Sequence, residues 1–269
     1  MTEPPRRIRP VAGRPAAWVE AGSGPPLVLV HGAGGSADLW QPQLDGLADV
    51  ARVVAPDLPG HGYARGAGKP SIAAYAGWLA ALLGTLRAGR AVVVGHSMGG
   101  AVAQALAIAQ PGRLAGLVLI ATGAKLRVLP RLVDLLRERP REGQSIIQDL
   151  SFAPGTPREC AEVVDRVLRE GAPLVTLGDY LACDRFDARA DLERIRLPTL
   201  VVAGAEDRLT PLKYARLLAD TIPGARLVEI PGAGHFPQLE QPRTVNAAIR
   251  EFLAGLGNAR TDGRADASV

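Results

Sequence analysis

One short stretch, GHSMGG at residues 95–100, places a serine between glycines directly after the β-branched run AVVV. This G-x-S-x-G pattern is typical of a tight turn between a strand and a helix that exposes the serine side chain. The glycines leave room where the two backbones cross, and the turn imposes strained backbone angles on the serine. Ser97 would lie at the positive end of a helix dipole, which favours developing negative charge. The stretch therefore predicts a nucleophile, with an idle serine in a structural turn as the alternative.

A serine hydroxyl needs a base to take its proton and a third group to orient that base. Two later segments of the chain supply such groups. His235 lies in PGAGHFP after the predicted strand ARLVEI, and Asp207 lies in AGAEDRLTP at the end of the preceding strand. Because parallel strands end at the same edge of a sheet, we expect these side chains to meet Ser97 there. Glu206 is the competing acid, and we expect it to face solvent.

Acyl transfer also needs backbone N–H groups that point at the oxygen of the tetrahedral intermediate. Each such donor lowers the barrier by roughly 2.7 to 4 kcal/mol. Met98 follows the nucleophile and is the first predicted donor. The second is expected in the glycine-rich loop of LVLVHGAGG, where we choose Ala33 and keep Gly34 as the alternative.

The other histidines and the two cysteines are predicted to be structural. His31 and His61 lie in glycine-rich turns after strands, and His96 is tethered too tightly beside the serine to act as its base. Cys160 lies on the apolar face of a predicted helix and Cys183 beside apolar neighbours, so both are expected in the core. Neither residue type shows the spacing of zinc ligands, so we expect no metal and no cofactor.

Short β-branched runs alternate with longer helical patterns, which is typical of an α/β fold with a mostly parallel central sheet flanked by helices. The predicted strands are AAWVEAG, PLVLVHG, RVVAPD, AVVVGH, LAGLVLIAT, PTLVVAGAED and ARLVEIPG. The alternation fails at 123–190, where several helical segments follow one another. We expect a helical cap there, inserted into a core made of 1–122 and 191–269. Thr156 and Glu159 have the spacing of a capping box at the start of one cap helix.

Composition and charge restrict the partners and the compartment. The 269 residues are 47% hydrophobic and 22% charged, with a formal net charge of +4. The arginines are scattered among acidic residues, as in RLVDLLRERPREG, so no nucleic-acid-binding surface is predicted. No apolar run reaches the roughly 20 residues of a membrane span, and no secretory signal is recognisable. We therefore expect a cytoplasmic monomer or homodimer that acts on a small molecule.

Five motifs in this order, HGAGG, DLPGHG, GHSMGG, AGAEDRLTP and GAGHFPQLEQP, resemble the α/β-hydrolase fold superfamily over residues 8–256. The resemblance implies the same five roles: Ser97 as nucleophile, Asp207 as orienting acid, His235 as base, and Ala33 and Met98 as oxyanion donors. A serine at the nucleophile position argues against haloalkane dehalogenases and epoxide hydrolases, which use an aspartate there. The most similar branches are cofactor-free serine carboxylesterases, lactonases, haloperoxidase-like perhydrolases and carbon–carbon bond hydrolases.

The cap is expected to cover the nucleophile and to supply an apolar substrate pocket. Eight side chains are candidates for its lining: Trp40, Leu126, Leu129, Phe152, Tyr180, Leu181, Phe186 and Phe236. Such a pocket suits small to medium acyl groups, so we predict a serine hydrolase that cleaves carboxylic esters through an acyl-enzyme. The alternatives are a lactonase or carbon–carbon bond hydrolase with the same triad, and a ligand-binding protein with weak hydrolase activity.

Overall fold

One eight-stranded sheet organises the chain in the computed structural model, which describes residues 6–265 and the side chains of 6–257. The strands are β1 (Arg6–Val11), β2 (Arg14–Ala21), β3 (Pro26–Val30), β4 (Arg52–Asp57), β5 (Ala91–His96), β6 (Leu114–Ile120), β7 (Thr199–Gly204) and β8 (Arg226–Ile230). Their order across the sheet is β1-β2-β4-β3-β5-β6-β7-β8. All neighbours from β4 to β8 are parallel, whereas β1 and β2 are antiparallel additions at one edge. The predicted mostly parallel α/β sheet is confirmed.

Ten α-helices connect or flank these strands in the described residues. They are α1 (Gln41–Leu47), α2 (Ile72–Thr85), α3 (Met98–Ala109), α4 (Pro130–Glu138), α5 (Pro140–Ser151), α6 (Arg158–Glu170), α7 (Pro173–Arg185), α8 (Leu212–Thr221), α9 (Pro237–Glu240) and α10 (Pro242–Ala265). Short 3₁₀ helices span Ala37–Trp40, Pro111–Arg113 and Arg189–Arg194. Both faces of the sheet are therefore available for helix packing.

The central strands are apolar on both faces because both faces are covered. In β3, Val28 and Val30 belong to the core beneath α2, α3 and α8, whereas Leu27 and Leu29 belong to the core beneath α1 and α10. Every residue of β5 is buried. This continuous burial is the property of parallel strands in a doubly covered sheet. It holds the end of β5 rigidly at the centre of the molecule.

The edge strand β1 was not predicted from the sequence. Its segment RRIRPV has four exposed residues in its centre and lacks the alternation of a half-buried strand. It forms because it can pair along the free edge of β2, where Ile8 lies opposite Ala17.

Helices α4 to α7 follow one another between β6 and β7, within the segment for which a cap is predicted. Their apolar side chains form a separate cluster with Phe236 and Leu239. The capping box predicted for α6 is wrong. The N-cap residue is Pro157, which has no side chain that could cap the helix. The Thr156 hydroxyl instead donates to Glu240 Oε2 at 2.6 Å. A contact between the cap segment and α9 thus replaces a local one.

Candidate active site

The serine of the glycine-rich turn lies between β5 and α3 with φ 52° and ψ −117°, a conformation that L-residues rarely adopt. Glycine is required on both sides of it. A Cβ on Gly95 would overlap the carbonyl oxygen of Gly99, and a Cβ on Gly99 would overlap that of Val30. The surroundings hold the strained turn, because Ser97 N donates to Ile120 O at 2.9 Å and its carbonyl accepts from the Thr122 hydroxyl at 2.8 Å. The serine is thus fixed at the end of β5.

Asp207 and His235 follow the adjacent parallel strands β7 and β8, and their side chains meet. His235 Nδ1 lies 2.9 Å from Asp207 Oδ2, and both side chains are buried. The carboxylate also accepts from the Leu209 and Thr210 N–H groups, each at 2.8 Å, and from the Thr210 hydroxyl at 2.6 Å. Burial raises the pKa of Asp207, but its contact with His235 and these hydrogen bonds outweigh burial and lower the pKa to about 2. An ionised Asp207 fixes the proton of His235 on Nδ1 and leaves Nε2 free to accept one.

The backbone of His235 is held from two directions. Its N–H donates to the carbonyl of Ser151, the last residue of α5, at 2.6 Å. Its carbonyl lies 2.8 Å from Nε2 of His96, the residue before the serine. The ring of His235 therefore depends on both the sheet and α5 for its position.

Ser97 and His235 border the same cavity, which has a volume of about 360 Å³. Among the hydrogen bonds of the described residues, none joins the Ser97 hydroxyl to His235. A nucleophile and its base are often loosely placed until substrate binds. The structure thus brings the two groups to one cavity wall without closing the contact between them.

The loop after β3 borders the same cavity through Gly32, Ala33 and Gly35. The N–H of Gly34 donates to the Asp179 carboxylate at 3.0 Å, and that of Gly35 donates to Gly32 O at 3.1 Å. These bonds occupy the N–H groups of Gly34 and Gly35, whereas the N–H of Ala33 has no partner among the described residues and is available to a ligand. Met98 is the first residue of α3, so its N–H has no carbonyl partner within the helix.

The cavity is mostly apolar and is bordered by side chains of α4 to α7 together with the loops that follow β3, β6, β7 and β8. Four of the eight side chains predicted for its lining border it, namely Leu126, Leu129, Tyr180 and Phe236. Side chains that were not predicted complete much of the wall: Leu39, Leu132, Ile146, Ile147, Leu150, Val164, Val167, Leu168, Leu209 and Tyr214. Two arginines, Arg127 and Arg208, also border it, and no carboxylate does within the described residues.

The other four predicted lining residues lie elsewhere. Trp40 is fully buried in the core on the α1 side of the sheet. The ring of Phe152 stacks on that of Phe236, with centroids 5.6 Å apart, but does not border the cavity. Leu181 is turned about 100° around α7 from Tyr180, which takes the cavity position. Phe186 packs against the core beneath α2 and α3.

Comparison with known proteins decides the family of this chain. A family model described as "Alpha/beta hydrolase family" matches residues 27–248. The chain belongs to the alpha/beta hydrolase family. A thermophilic esterase of known structure is 36% identical to this hydrolase, with a TM-score of 0.85 over 94% of this chain and 98% of the esterase.

Two further relatives of this hydrolase carry other descriptions. The dihydrolipoyllysine-residue acetyltransferase component of the acetoin cleaving system of Pseudomonas putida is 34% identical over 265 residues, which are 90% of this chain and 68% of that protein. The enol-lactonase from Burkholderia xenovorans LB400 is 26% identical, with a TM-score of 0.86 over 92% of this chain and 100% of the lactonase. The family is therefore shown, and the substrate is not shared among its members.

The remaining histidines of the hydrolase have backbone or carboxylate partners. His31 Nδ1 lies 2.8 Å from Gly32 O, and its Nε2 accepts from Leu58 N at 3.0 Å. Burial lowers the pKa of both His31 and His96 to about 3, so both rings are neutral at ordinary pH. His61 contacts Asp179, a residue for which the sequence offers no motif.

The two cysteines differ in placement. Cys183 is a buried core residue, as predicted, and also borders the cavity of the hydrolase; burial raises the pKa of its thiol well above the ordinary range. Cys160 donates its thiol to Leu239 O at 3.3 Å, and burial raises its pKa as well. Both are therefore thiols and poor nucleophiles.

Among the described residues, no three histidine, cysteine, aspartate or glutamate side chains lie together in an arrangement that could hold a metal ion. None of the helices within 6–265 is both long and apolar enough to cross a membrane.

Proposed function

We propose that this hydrolase cleaves carboxylic esters of small to medium acyl groups through an acyl-enzyme formed on Ser97. The observation that carries the proposal is the His235–Asp207 pair, 2.9 Å apart, at the wall of the cavity that Ser97 also borders. Nucleophile, base and orienting acid come from the ends of β5, β8 and β7, so the rigid sheet sets their separation. We also propose that α4 to α7 act as the cap that covers them.

In the first half of the reaction, Ser97 Oγ attacks the ester carbonyl carbon while His235 Nε2 takes the hydroxyl proton. The oxyanion that forms accepts hydrogen bonds from the N–H groups of Ala33 and Met98. The intermediate then breaks its bond to the alcohol oxygen, and His235 returns the proton to the departing alcohol. The acyl group remains on Ser97 as an ester.

Water completes the cycle by the same steps. His235 Nε2 takes a proton from the water as its oxygen attacks the acyl-enzyme, and the second oxyanion occupies the same pair of N–H groups. Collapse breaks the bond to Ser97 Oγ, which recovers its proton from His235, and the carboxylic acid leaves. Throughout, Asp207 keeps the Nδ1 proton in place and stabilises the imidazolium that forms transiently.

The cavity supports the choice of substrate. Its volume of about 360 Å³ and its apolar side chains from α4, α5 and α6 suit the acyl part of a small or medium ester. A carbon–carbon bond hydrolase would need a more polar pocket for its substrate. The second candidate function is lactone hydrolysis, which the likeness to an enol-lactonase favours. Ring opening of a lactone follows the same steps, with the alcohol retained on the acyl product.

A panel of p-nitrophenyl esters of increasing acyl length, run beside simple lactones, tests the proposal. Wild-type protein should hydrolyse acetyl to octanoyl esters faster than palmitoyl esters. The Ser97→Ala variant should lose turnover by several orders of magnitude on all of them. Faster turnover of lactones than of matched open esters would favour the second candidate. Ester turnover that is equal in wild type and Ser97→Ala would overturn both.

A further inference from the structure

A buried carboxylate in the cap joins three segments of the core. Asp179 lies on α7 and is fully buried. Its Oδ2 accepts from the N–H of Gly34 at 3.0 Å and lies 2.7 Å from Nε2 of His61. Its Oδ1 accepts from the hydroxyl of Tyr75 at 2.6 Å. These partners come from the loops after β3 and β4 and from α2. Burying a carboxylate costs free energy unless such hydrogen-bond partners are present.

The hydrogen bonds of His61 show what kind of pair it forms with this carboxylate. Its Nδ1 lies 3.1 Å from Pro59 O, and its Nε2 faces Asp179, so both nitrogens face acceptors and each must carry a proton to satisfy them. Burial lowers the pKa of His61, but Asp179 and the neighbouring carbonyls outweigh it and raise the pKa above its ordinary value. His61 and Asp179 are therefore joined by a short, fully buried hydrogen bond.

This pair acts on the loop that carries Ala33. One peptide further along, Gly34 has φ 64°, and a Cβ there would come within 3.1 Å of Thr176 on α7. The loop is therefore in close contact with α7 as well as bonded to Asp179. On its other side, the ring of His31, 4.8 Å from that of His61, holds Gly32 O through Nδ1. Ala33 is thus fixed between two anchored peptides.

We propose that Asp179 is a positioning residue for the oxyanion hole, which it serves by holding the Gly34 peptide and so aiming the N–H of Ala33 at the reacting carbonyl oxygen. This inference rests on the proposed function, because it takes Ala33 as an oxyanion donor. It makes helix α7 part of the support of the catalytic loop as well as part of the pocket wall. A displacement of the order of 1 Å in such a donor costs about 100-fold in rate.

The test is Asp179→Asn, which keeps the shape of the side chain but has one acceptor oxygen where the N–H of Gly34, His61 and the Tyr75 hydroxyl now use two. The matched control is Asp184→Asn on the same helix, because Asp184 is exposed and accepts only the N–H of Val128 among the described residues, at 3.1 Å. For Asp179→Asn, kcat should fall by roughly 10- to 100-fold with KM within about threefold of wild type. The control should keep the wild-type kcat.

A second readout separates positioning from general loosening. A trifluoromethyl ketone adds to the serine and places an oxyanion where the transition state has one, so its Ki should rise by the same factor as kcat/KM falls. Melting temperature and circular dichroism establish that the variant is folded. If Asp179→Asn does not fold, Tyr75→Phe carries the test, with a smaller fall in kcat and the same pattern in KM and Ki.

Different results would overturn the positioning role of Asp179 and the proposed function. A folded Asp179→Asn, or failing that a folded Tyr75→Phe, with wild-type kcat and Ki overturns the positioning role. If Ser97→Ala is inactive in the same assays, the proposed function survives that result. Hydrolysis that persists in Ser97→Ala would instead overturn the proposed function, and the positioning inference with it.

Discussion

His235 Nδ1 lies 2.9 Å from an Asp207 carboxylate oxygen that also accepts the Thr210 hydroxyl at 2.6 Å. The second oxygen accepts two backbone N–H groups, so the carboxylate is held before any substrate binds. Such a carboxylate has one orientation in which it can accept a hydrogen bond from the imidazole N–H. The position of His235 is therefore set by the loop after β7 as well as by its own loop.

The first prediction concerns the orienting acid. Asp207→Asn should lower kcat by roughly a thousand- to ten-thousandfold, because an amide can stabilise the wrong tautomer of His235. The control is Glu206→Gln, since Glu206 accepts only the N–H of exposed Gly232 among the described residues, at 3.2 Å. Steady-state ester hydrolysis measures both. A larger loss of kcat in Glu206→Gln than in Asp207→Asn would show that Glu206, and not Asp207, orients His235.

A second prediction follows from the pKa of Asp207, which is about 2 in the folded protein against an ordinary value of 3.8. A lowered folded pKa stabilises the fold at pH values above the unfolded pKa, and this stabilisation is lost as the pH falls through the folded pKa. The carboxylate should therefore contribute about 2 kcal/mol to the free energy of unfolding at about pH 6 and progressively less below about pH 4.

Urea unfolding of wild type and Asp207→Asn over that pH range measures the contribution. The difference between their unfolding free energies should shrink toward low pH by about 2 kcal/mol, with the other carboxylates cancelling in the comparison. A difference that stays constant from about pH 6 to about pH 2 would show that Asp207 is not stabilised as an anion.

Sequence alone was sufficient for the parts of the molecule that have local signals. The turn at Ser97 could be predicted because close backbone contacts allow only glycine at the positions around it, which leaves a recognisable motif. Strands such as β5 could be predicted because burial of both faces leaves a continuous apolar run. The edge strand β1 has no such pattern. Asp179 could not be predicted, because its three partners are distant in the chain and a lone aspartate in a helix resembles a solvent-exposed one.

The pocket shows the same limit. The face of α7 that borders the cavity is set by how α7 packs against its neighbours. The residue types of Tyr180 and Leu181 therefore do not show that only Tyr180 borders the cavity. Phe152 and Phe236 are both aromatic and stack on each other, and the sequence does not show that only Phe236 borders the cavity.

A third prediction concerns the glycines of the turn. Gly95→Ala should abolish folding or activity, because its Cβ would overlap the Gly99 carbonyl oxygen, which is backbone and cannot move aside. Gly77→Ala in α2 is the control, since Gly77 has open space around its Cβ position. That variant should keep full activity and gain about 0.5–1 kcal/mol of stability, as alanine replaces glycine inside a helix. Thermal melting and ester assays compare them, and a fully active Gly95→Ala would contradict the tight turn.

The most direct measurement is covalent labelling of the nucleophile. A fluorophosphonate should add one phosphonyl group per protein molecule with complete loss of ester turnover, and peptide mass spectrometry should place it on Ser97. Ser97→Ala should take up no label, and the thiols of Cys160 and Cys183 should stay unmodified. A wild-type protein that hydrolyses esters while Ser97 stays unlabelled, or that is inactivated by label on another residue, would contradict a serine nucleophile at this position.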